Sequence, residues 1–121
     1  MFKSANVTVM VTDLQRAVRF YTGTLGLELK AQYGEEFAEV AAPGVAIGLH
    51  PSGRQGPQPG QSGSLSIGLE VDDLEAAMTT LRDRGVRFAP HIAEDGPVRL
   101  AFFGDPDHNP LYLVEQRPWS G

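Results

Sequence analysis

The chain contains no cysteine among its 121 residues. This absence excludes disulfide bonds, thiolate metal ligands and cysteine nucleophiles, so any metal site or nucleophile must come from other side chains. A chain without cysteine also fits a reducing compartment, and we expect the protein to be cytoplasmic.

Positive charge is also scarce. Ten Lys and Arg residues stand against 15 Asp and Glu residues, which gives a formal net charge of −5 and a pI of about 5.0. Such a chain has no general attraction to phosphate backbones, so nucleic acid is not an expected partner. Residues 1–6 lack the apolar run of a signal peptide, and no run approaches the roughly 18 apolar residues that cross a bilayer. We therefore expect no membrane partner.

The composition is otherwise that of an ordinary globular protein. Hydrophobic residues make up 41% of the chain and charged residues 21%, which is close to the average for folded domains. A chain of this length can bury one core without covalent staples. We predict a single domain spanning residues 1–121.

The first half of the chain begins with a strand and a helix. In residues 6–12 valines alternate with more polar residues, as in a strand with two unlike faces. Thr12 or Asp13 can cap a helix, and Gly26 suits a left-handed helix end. Apolar residues recur between them at helical spacing, namely Leu14, Ala17, Val18 and Tyr21. Further strands are predicted at residues 27–31, 37–41 and 45–50.

The second half repeats this order. Val7 and Asp13 have counterparts in Ile67 and Asp73, 60 residues later, and Gly85 ends a second predicted helix. Strands are predicted here at residues 86–89, 98–103 and 111–115. Because strand phase, cap and helix end agree, the repeat indicates two similar modules.

These signals together predict an α+β fold of two βαβββ modules. The modules span about residues 4–50 and 66–117 and are expected to form a curved mixed sheet around a cleft. Residues 51–65, rich in Pro, Gly, Ser and Gln, cannot pack a core and are predicted to be a linker or mobile loop.

One face of this sheet is predicted to be lightly polar and lined by small residues. The valines should turn towards the helix, which leaves the alternate residues on the opposite face. These residues are Asn6, Thr8 and Met10, then Ser66, Gly68 and Glu70, and by the same parity Ala46, Gly48, His50, Tyr112 and Val114. Small side chains on a curved sheet leave space for a ligand. The same pattern would also suit a solvent-facing side of an antiparallel sheet.

Three segments resemble the vicinal oxygen chelate superfamily, which includes glyoxalase I, extradiol dioxygenases, and fosfomycin- and bleomycin-resistance proteins. Residues 11–28, VTDLQRAVRFYTGTLGLE, are similar to the opening of its first module. Residues 70–74, EVDDL, are similar to the start of its second module, and residues 105–115, DPDHNPLYLVE, to its closing turn and strand. The resemblance implies paired βαβββ modules around a U-shaped cavity, usually in a homodimer.

Enzymes of that superfamily hold a divalent metal with His or Glu on four strands. The corresponding positions in this sequence are Asn6, Gly48, Ser66 and Tyr112. Amides and hydroxyls are weak neutral donors, glycine offers no side chain, and tyrosine is protonated at neutral pH. The resemblance therefore implies a protein with no metal and no other cofactor, closest in character to the bleomycin-resistance branch.

We expect a small-molecule binding protein that holds a partly aromatic ligand, such as an antibiotic or a metabolite, in the cleft. Tyr112 suits stacking and a hydrogen bond, and Met10 suits an adaptable apolar contact. Arg99 is a candidate for meeting an anionic ligand, with an exposed surface position as its other interpretation. The full expected set is Asn6, Thr8, Met10, Gly48, His50, Ser66, Gly68, Glu70, Arg99 and Tyr112.

Two alternatives remain open. His50 and Glu70 could converge as an acid–base pair or as part of a displaced metal site, which would make the protein a lyase, an isomerase or a dioxygenase-like enzyme. The other alternative is a structural dimer whose cavity is vestigial.

His108 occupies a turn position where the resembled superfamily usually has glycine. Histidine is enriched at positive φ relative to most residues, so we expect this turn to be kept with some strain. Asp105 and Asp107 are expected to shape the same turn.

Overall fold

The computed structural model describes residues 1–61 and 63–117. The chain divides into two compact units. The first is built from Met1–Gly63 and Pro106–Asn109, and the second from Ser64–Asp105 and the chain from Pro110 on. The first unit thus includes a short turn that the sequence places in the second module.

The first unit contains one mixed sheet with helical structure on one side. Its elements are β1 (Asn6–Val11), α1 (Leu14–Val18) continuing as a π-helical turn (Arg19–Thr24), β2 (Glu28–Tyr33), β3 (Phe37–Ala42) and β4 (Val45–Pro51). The strand order is β1-β4-β3-β2, with β1 parallel to β4 and the other neighbours antiparallel.

The second unit has the same topology. Its elements are β5 (Ile67–Glu70), α2 (Leu74–Asp83), β6 (Ala93–Asp95), β7 (Val98–Gly104) and β8 (Pro110–Gln116). The strand order is β5-β8-β7-β6, with β5 parallel to β8. The two-module α+β fold predicted from the repeat is therefore confirmed.

One predicted strand is wrong. Residues 86–89 form no strand, and β6 lies instead at Ala93–Asp95, where no strand was predicted. Val86 is buried and the Phe88 ring packs edge-on against Phe103, with centroids 5.3 Å apart. The Ala89 N–H donates to the Phe102 carbonyl oxygen at 2.8 Å, but this single bond is not continued into a ladder, and Pro90 has no N–H to donate.

Local signals explain where the helices begin and end. The Asp13 side chain accepts the N–H of Arg16, and the Asp73 side chain accepts the N–H of Ala76, so each carboxylate caps the N-terminus of its helix. The chain leaves the second helix at Gly85, whose φ of 95° is readily adopted only by glycine.

Each unit buries the apolar residues that alternate along its strands against its helix. The core of the first unit contains Val11, Leu14, Tyr21, Ala38, Val40, Ile47 and Leu49, and that of the second contains Leu74, Met78, Leu81, Ala101, Phe103, Leu111 and Leu113. The alternation leaves the intervening residues on the opposite side of each sheet. Within the described residues, no helix is long and apolar enough to span a bilayer.

The segment predicted as a linker or mobile loop is held by hydrogen bonds up to Gly60. Gln58 Nε2 donates to the carbonyl oxygen of Gly53 at 3.0 Å. The Gly60 N–H donates to Asn109 Oδ1 at 2.8 Å, and Asn109 Nδ2 donates to the Met10 carbonyl oxygen at 2.9 Å. Polar contacts with the turn at 106–109, rather than a hydrophobic core, therefore fix this segment within the first unit.

Candidate ligand-binding site

The face of the first sheet that lies opposite α1 carries the residues that the alternation of side chains along the strands predicts. Asn6, Thr8 and Met10 of β1 are in register with Ala46, Gly48 and His50 of β4. Their chain neighbours, among them Val9, Val11, Ile47 and Leu49, are buried on the helix side. We call this side of the sheet the first open face. The binding role of its residues stays a prediction.

A row of three rings crosses the first open face, and two of its members were not predicted from the sequence. The Tyr33 and Phe37 rings are stacked, with centroids 6.3 Å apart and planes 29° apart. The Phe37 and His50 centroids are 6.5 Å apart. The three residues lie on the neighbouring strands β2, β3 and β4. Strand alternation could have identified Phe37, because it lies on the same side of β3 as Glu39 and opposite Ala38 and Val40, which are buried.

The ring of Phe37 covers Gly48. A Cβ atom at Gly48 would lie 3.0 Å from Phe37 Cε1 and 3.2 Å from Thr8 Oγ1, closer than an ordinary van der Waals contact. Glycine therefore lets the phenyl ring lie directly on the sheet backbone. The phenylalanine remains half-buried, so part of it can still meet a ligand.

His50 is exposed, and its hydrogen bond defines its tautomer. Nδ1 lies 2.7 Å from the carbonyl oxygen of Pro51. A carbonyl oxygen can only accept, so Nδ1 must carry the proton and donate it. In the neutral ring Nε2 then holds the lone pair and can accept a hydrogen bond or a proton.

The second unit repeats the arrangement of a ring over a glycine. Gly68 of β5 is in register with Tyr112 of β8, and a Cβ atom at Gly68 would collide with the Tyr112 ring. The Tyr112 and Phe102 centroids are 6.0 Å apart. Glu70 is in register with Val114 and is exposed, and Ser66 immediately precedes β5. We call this side of the second sheet the second open face.

The predicted placement of Arg99 is wrong. Arg99 lies on the same side of β7 as Ala101 and Phe103, which are buried on the helix side. Phe102 lies on the opposite side of the strand. Its side chain is 11% exposed. The guanidinium contacts Glu75 of α2 and lies 3.5 Å from Glu115 Oε1 and 3.6 Å from Glu94 Oε1. Three carboxylates thus hold Arg99 away from the second open face, so we remove it from the candidate site.

The carboxylates around Arg99 form an ion network at the start of α2. Glu115 Oε2 accepts the N–H of Leu74 at 2.8 Å, and chiefly this bond lowers the pKa of Glu115. The hydrogen bond from Arg99 is the main cause of the lowered pKa of Glu75, and the same bond raises the pKa of Arg99. Glu75 and Glu115 are ionised at neutral pH because the network stabilises their charged form.

The turn at residues 106–109 belongs to the first unit because its side chains bond there. Asp107 accepts hydrogen bonds from the Thr12 hydroxyl at 2.6 Å, the Thr12 N–H at 3.1 Å and Arg16 Nη2 at 3.0 Å. His108 has a φ of 64°, so its expected positive φ is confirmed. Asp107 thus ties the turn to the end of β1, a long-range role that turn propensity did not predict.

This topology and the paired modules agree with a comparison of the sequence with known families. The sequence model described as the glyoxalase/bleomycin resistance protein/dioxygenase superfamily matches residues 3–113. The chain belongs to this superfamily.

Several bacterial proteins are similar to this chain. A solved superfamily member from Sphaerobacter thermophilus is 29% identical, with a TM-score of 0.76 over 96% of this chain and 98% of that one. A glyoxalase/bleomycin resistance protein/dioxygenase from Nocardioides is 21% identical, with a TM-score of 0.74 over 100% of this chain and 88% of that one. The uncharacterised protein YraH of Bacillus subtilis is 24% identical over 93% of this chain and 98% of its own length.

The superfamily's metal site does not fit the residues present here. At Gly48 the space that a ligand side chain would need is taken by the Phe37 ring. Tyr112 lies over Gly68, and Asn6 and Ser66 are exposed neutral side chains. A borderline divalent metal prefers imidazole, carboxylate or thiolate ligands, and this set offers none of them.

One cluster of carboxylates lies close enough together to hold a metal ion. In residues 1–61 and 63–117, the only group of three or more potential ligands close enough to hold an ion is Asp73, Glu75 and Glu115, with atoms within 4.8 Å. Arg99 already pairs with two of them, and Asp73 caps α2. His50 belongs to the first unit and Glu70 to the second, and neither is in this group. Their pairing, one of the alternatives that the sequence left open, stays a prediction.

Proposed function

We propose that this superfamily member binds a partly aromatic small molecule, such as an antibiotic or a metabolite, without a metal. The observation that carries the proposal is the row Tyr33–Phe37–His50 on the first open face, with Phe37 lying on Gly48. The Tyr33 and Phe37 planes are 29° apart and the His50 plane is 60° from that of Phe37, so the row offers ring faces and edges on which an aromatic ligand can pack at small entropic cost.

Polar groups beside the rings would orient the ligand. The Thr8 hydroxyl can donate and accept a hydrogen bond, His50 Nε2 can accept one, and Met10 adds an adaptable apolar contact. On the second open face, Tyr112, Phe102 and Ser66 offer the same combination of rings and a hydroxyl.

Isothermal titration calorimetry with bleomycin-type drugs, mitomycin-type drugs and planar aromatic compounds tests the proposal. For any compound that binds, Phe37→Leu should weaken affinity roughly three- to tenfold, the value of one aromatic contact. Phe2→Leu is the matched control, because Phe2 is an exposed phenylalanine outside the strands. Failure of the whole panel to bind, or equal affinity of Phe37→Leu and the wild type, would contradict the proposal.

The metal-free part of the proposal has its own test. Elemental analysis of the purified protein after exposure to Mn, Fe, Co, Ni and Zn should find no metal at equimolar level. Tightly held stoichiometric metal would show that we misplaced the ligand positions and would favour the enzyme alternative.

An enzyme remains the second candidate, because the hydrogen bond to Pro51 leaves His50 Nε2 as a free base on the first open face. In that case His50→Ala should abolish turnover of any substrate found, whereas His91→Ala, which removes another exposed histidine, should not. Activity that survives His50→Ala would remove this role from His50.

We also propose that the protein is a homodimer, as the family resemblance implies. Sedimentation velocity at tens of micromolar should give twice the 13.1 kDa chain mass. A monomer at this concentration would exclude a stable dimer.

A further inference from the structure

The strands of both units carry very little positive charge. Across β1–β8, the only Lys and Arg residues are Lys30 and Arg99. Lys30 lies at the bulge of β2, and its ammonium is 3.5 Å from Glu28 Oε2. Arg99 lies on the helix side among Glu75, Glu94 and Glu115. Neither group is available as an unpaired cation for an anionic ligand.

The charged groups of the first open face are carboxylates. Glu39 of β3 is in register with Gly48 on one side and Ala31 on the other, so it lies in the middle of the sheet, two residues from Phe37. It is half-buried and has no hydrogen-bond or ion-pair partner among the described residues. Glu28, at the edge of the same face, is paired with Lys30.

The second open face has the same sign of charge. Glu70 of β5 is exposed and has no partner among the described residues. Asp95 of β6 is in register with Val98 and is also exposed. Each of the two sheets therefore presents an unpaired carboxylate and aromatic rings on the same face.

This combination selects the charge of a ligand. An anion on these faces would lose hydration and lie beside the unpaired carboxylates of Glu39 or Glu70. A cation would be attracted by the Glu39 carboxylate and by the electron-rich faces of Tyr33 and Phe37. The lone pair of His50 Nε2 adds an acceptor for an N–H donor.

We infer that the ligand is a flat aromatic cation, whose ring system stacks on the Tyr33–Phe37 row of the first open face and whose positive charge lies against Glu39. This inference rests on the proposed function and adds the charge of the ligand to it.

Three planar probes of similar size test the inference by fluorescence titration at about pH 8. N-methylacridinium is a permanent cation, acridine is neutral at this pH, and anthracene-9-carboxylate is an anion. N-methylacridinium should bind at least about tenfold more tightly than acridine, and anthracene-9-carboxylate most weakly of the three. Since these titrations use the unmodified protein, they do not depend on how any variant folds.

A variant pair locates the effect. Glu39→Gln keeps the shape of the side chain and should lower N-methylacridinium affinity about tenfold while leaving acridine affinity unchanged. Glu36→Gln removes the same charge from the exposed turn between β2 and β3 and should change neither. Thermal unfolding of both variants checks that the fold is kept.

The outcomes separate the two proposals. Binding of none of the probes would count against the proposed function itself. Acridine or anthracene-9-carboxylate binding as tightly as N-methylacridinium would overturn the inference but leave an aromatic binding protein. Equal losses of cation affinity in Glu39→Gln and Glu36→Gln would also overturn it, because net charge rather than the first open face would then be responsible.

Discussion

Replacing Gly60 by alanine tests whether residues 51–61 are docked on the first unit. Gly60 has a φ of 72°, and a Cβ atom there would lie 2.8 Å from the carbonyl oxygen of Asp107. The N–H of Gly60 also donates to Asn109 Oδ1. Backbone on both sides of the contact leaves little freedom to relax.

The expected loss of stability has two parts. Alanine in the left-handed region costs about 1–2 kcal/mol. A contact with backbone that is well inside van der Waals distance adds about 1–3 kcal/mol, as overpacking generally does. Gly60→Ala should therefore lower the free energy of unfolding by about 2–5 kcal/mol.

Gly56→Ala separates these parts. Gly56 has a φ of 87°, but a Cβ atom there would meet nothing within 4 Å, so the substitution carries the backbone penalty alone. The two variants should differ by about 1–3 kcal/mol, or roughly 4 °C in Tm for each kcal/mol.

Urea and thermal unfolding followed by circular dichroism measure both variants against the wild type. Equal losses in Gly60→Ala and Gly56→Ala would refute the reasoning, because they would mean that Gly60 does not approach Asp107 in solution. The segment would then be the free linker that composition alone predicted.

Three further predictions concern single sites. His108→Gly should raise the free energy of unfolding by up to about 1 kcal/mol in urea, since glycine adopts the positive φ of 64° without strain; a loss of stability would contradict this. The pKa values of Glu75 and Glu115 are lower in the folded protein than the ordinary value near 4.5, so their ionisation stabilises the fold fully above pH 4.5. The Tm should therefore fall as the pH drops below 4.5, and it should fall less steeply in Glu115→Gln than in the wild type. Parallel Tm–pH profiles of the two proteins would exclude this linkage. Gly68→Ala should move the Tyr112 ring and so change the near-UV circular dichroism signal. It should alter the free energy of unfolding by less than about 1 kcal/mol, because the ring is half-buried and its end can swing away. An unchanged near-UV signal would mean that the ring does not lie over Gly68.

Much of the fold was predictable because the repeat supplies the same signals twice. Alternating valines, a capping aspartate and a helix-end glycine occur in both halves, and the structure places β1, α2, β4, β7 and β8 within one or two residues of the predicted bounds. Residues 86–89 misled the prediction because apolar residues that pack singly against a core resemble a short strand. Their burial is a tertiary property, which local alternation cannot separate from ladder pairing.

The candidate site was predictable only in part. Parity assigned Thr8, Gly48 and Tyr112 to the open faces, since side chains alternate along any strand. Phe37 was missed because its contact with Gly48 depends on how β3 aligns with β4, and Arg99 was misplaced because its carboxylate partners come from α2, β6 and β8.

By itself the sequence determined the two-module fold and the acidic charge, since these follow from residue type and spacing. It also shows that the positions which the family resemblance marks for metal ligands carry Asn6, Gly48, Ser66 and Tyr112. Only the tertiary structure decided which distant groups meet. It seated Phe37 on Gly48, enclosed Arg99 in carboxylates and tied the turn at 106–109 to the first unit. Strand register and the docking of separate segments create those contacts, and no local pattern encodes them.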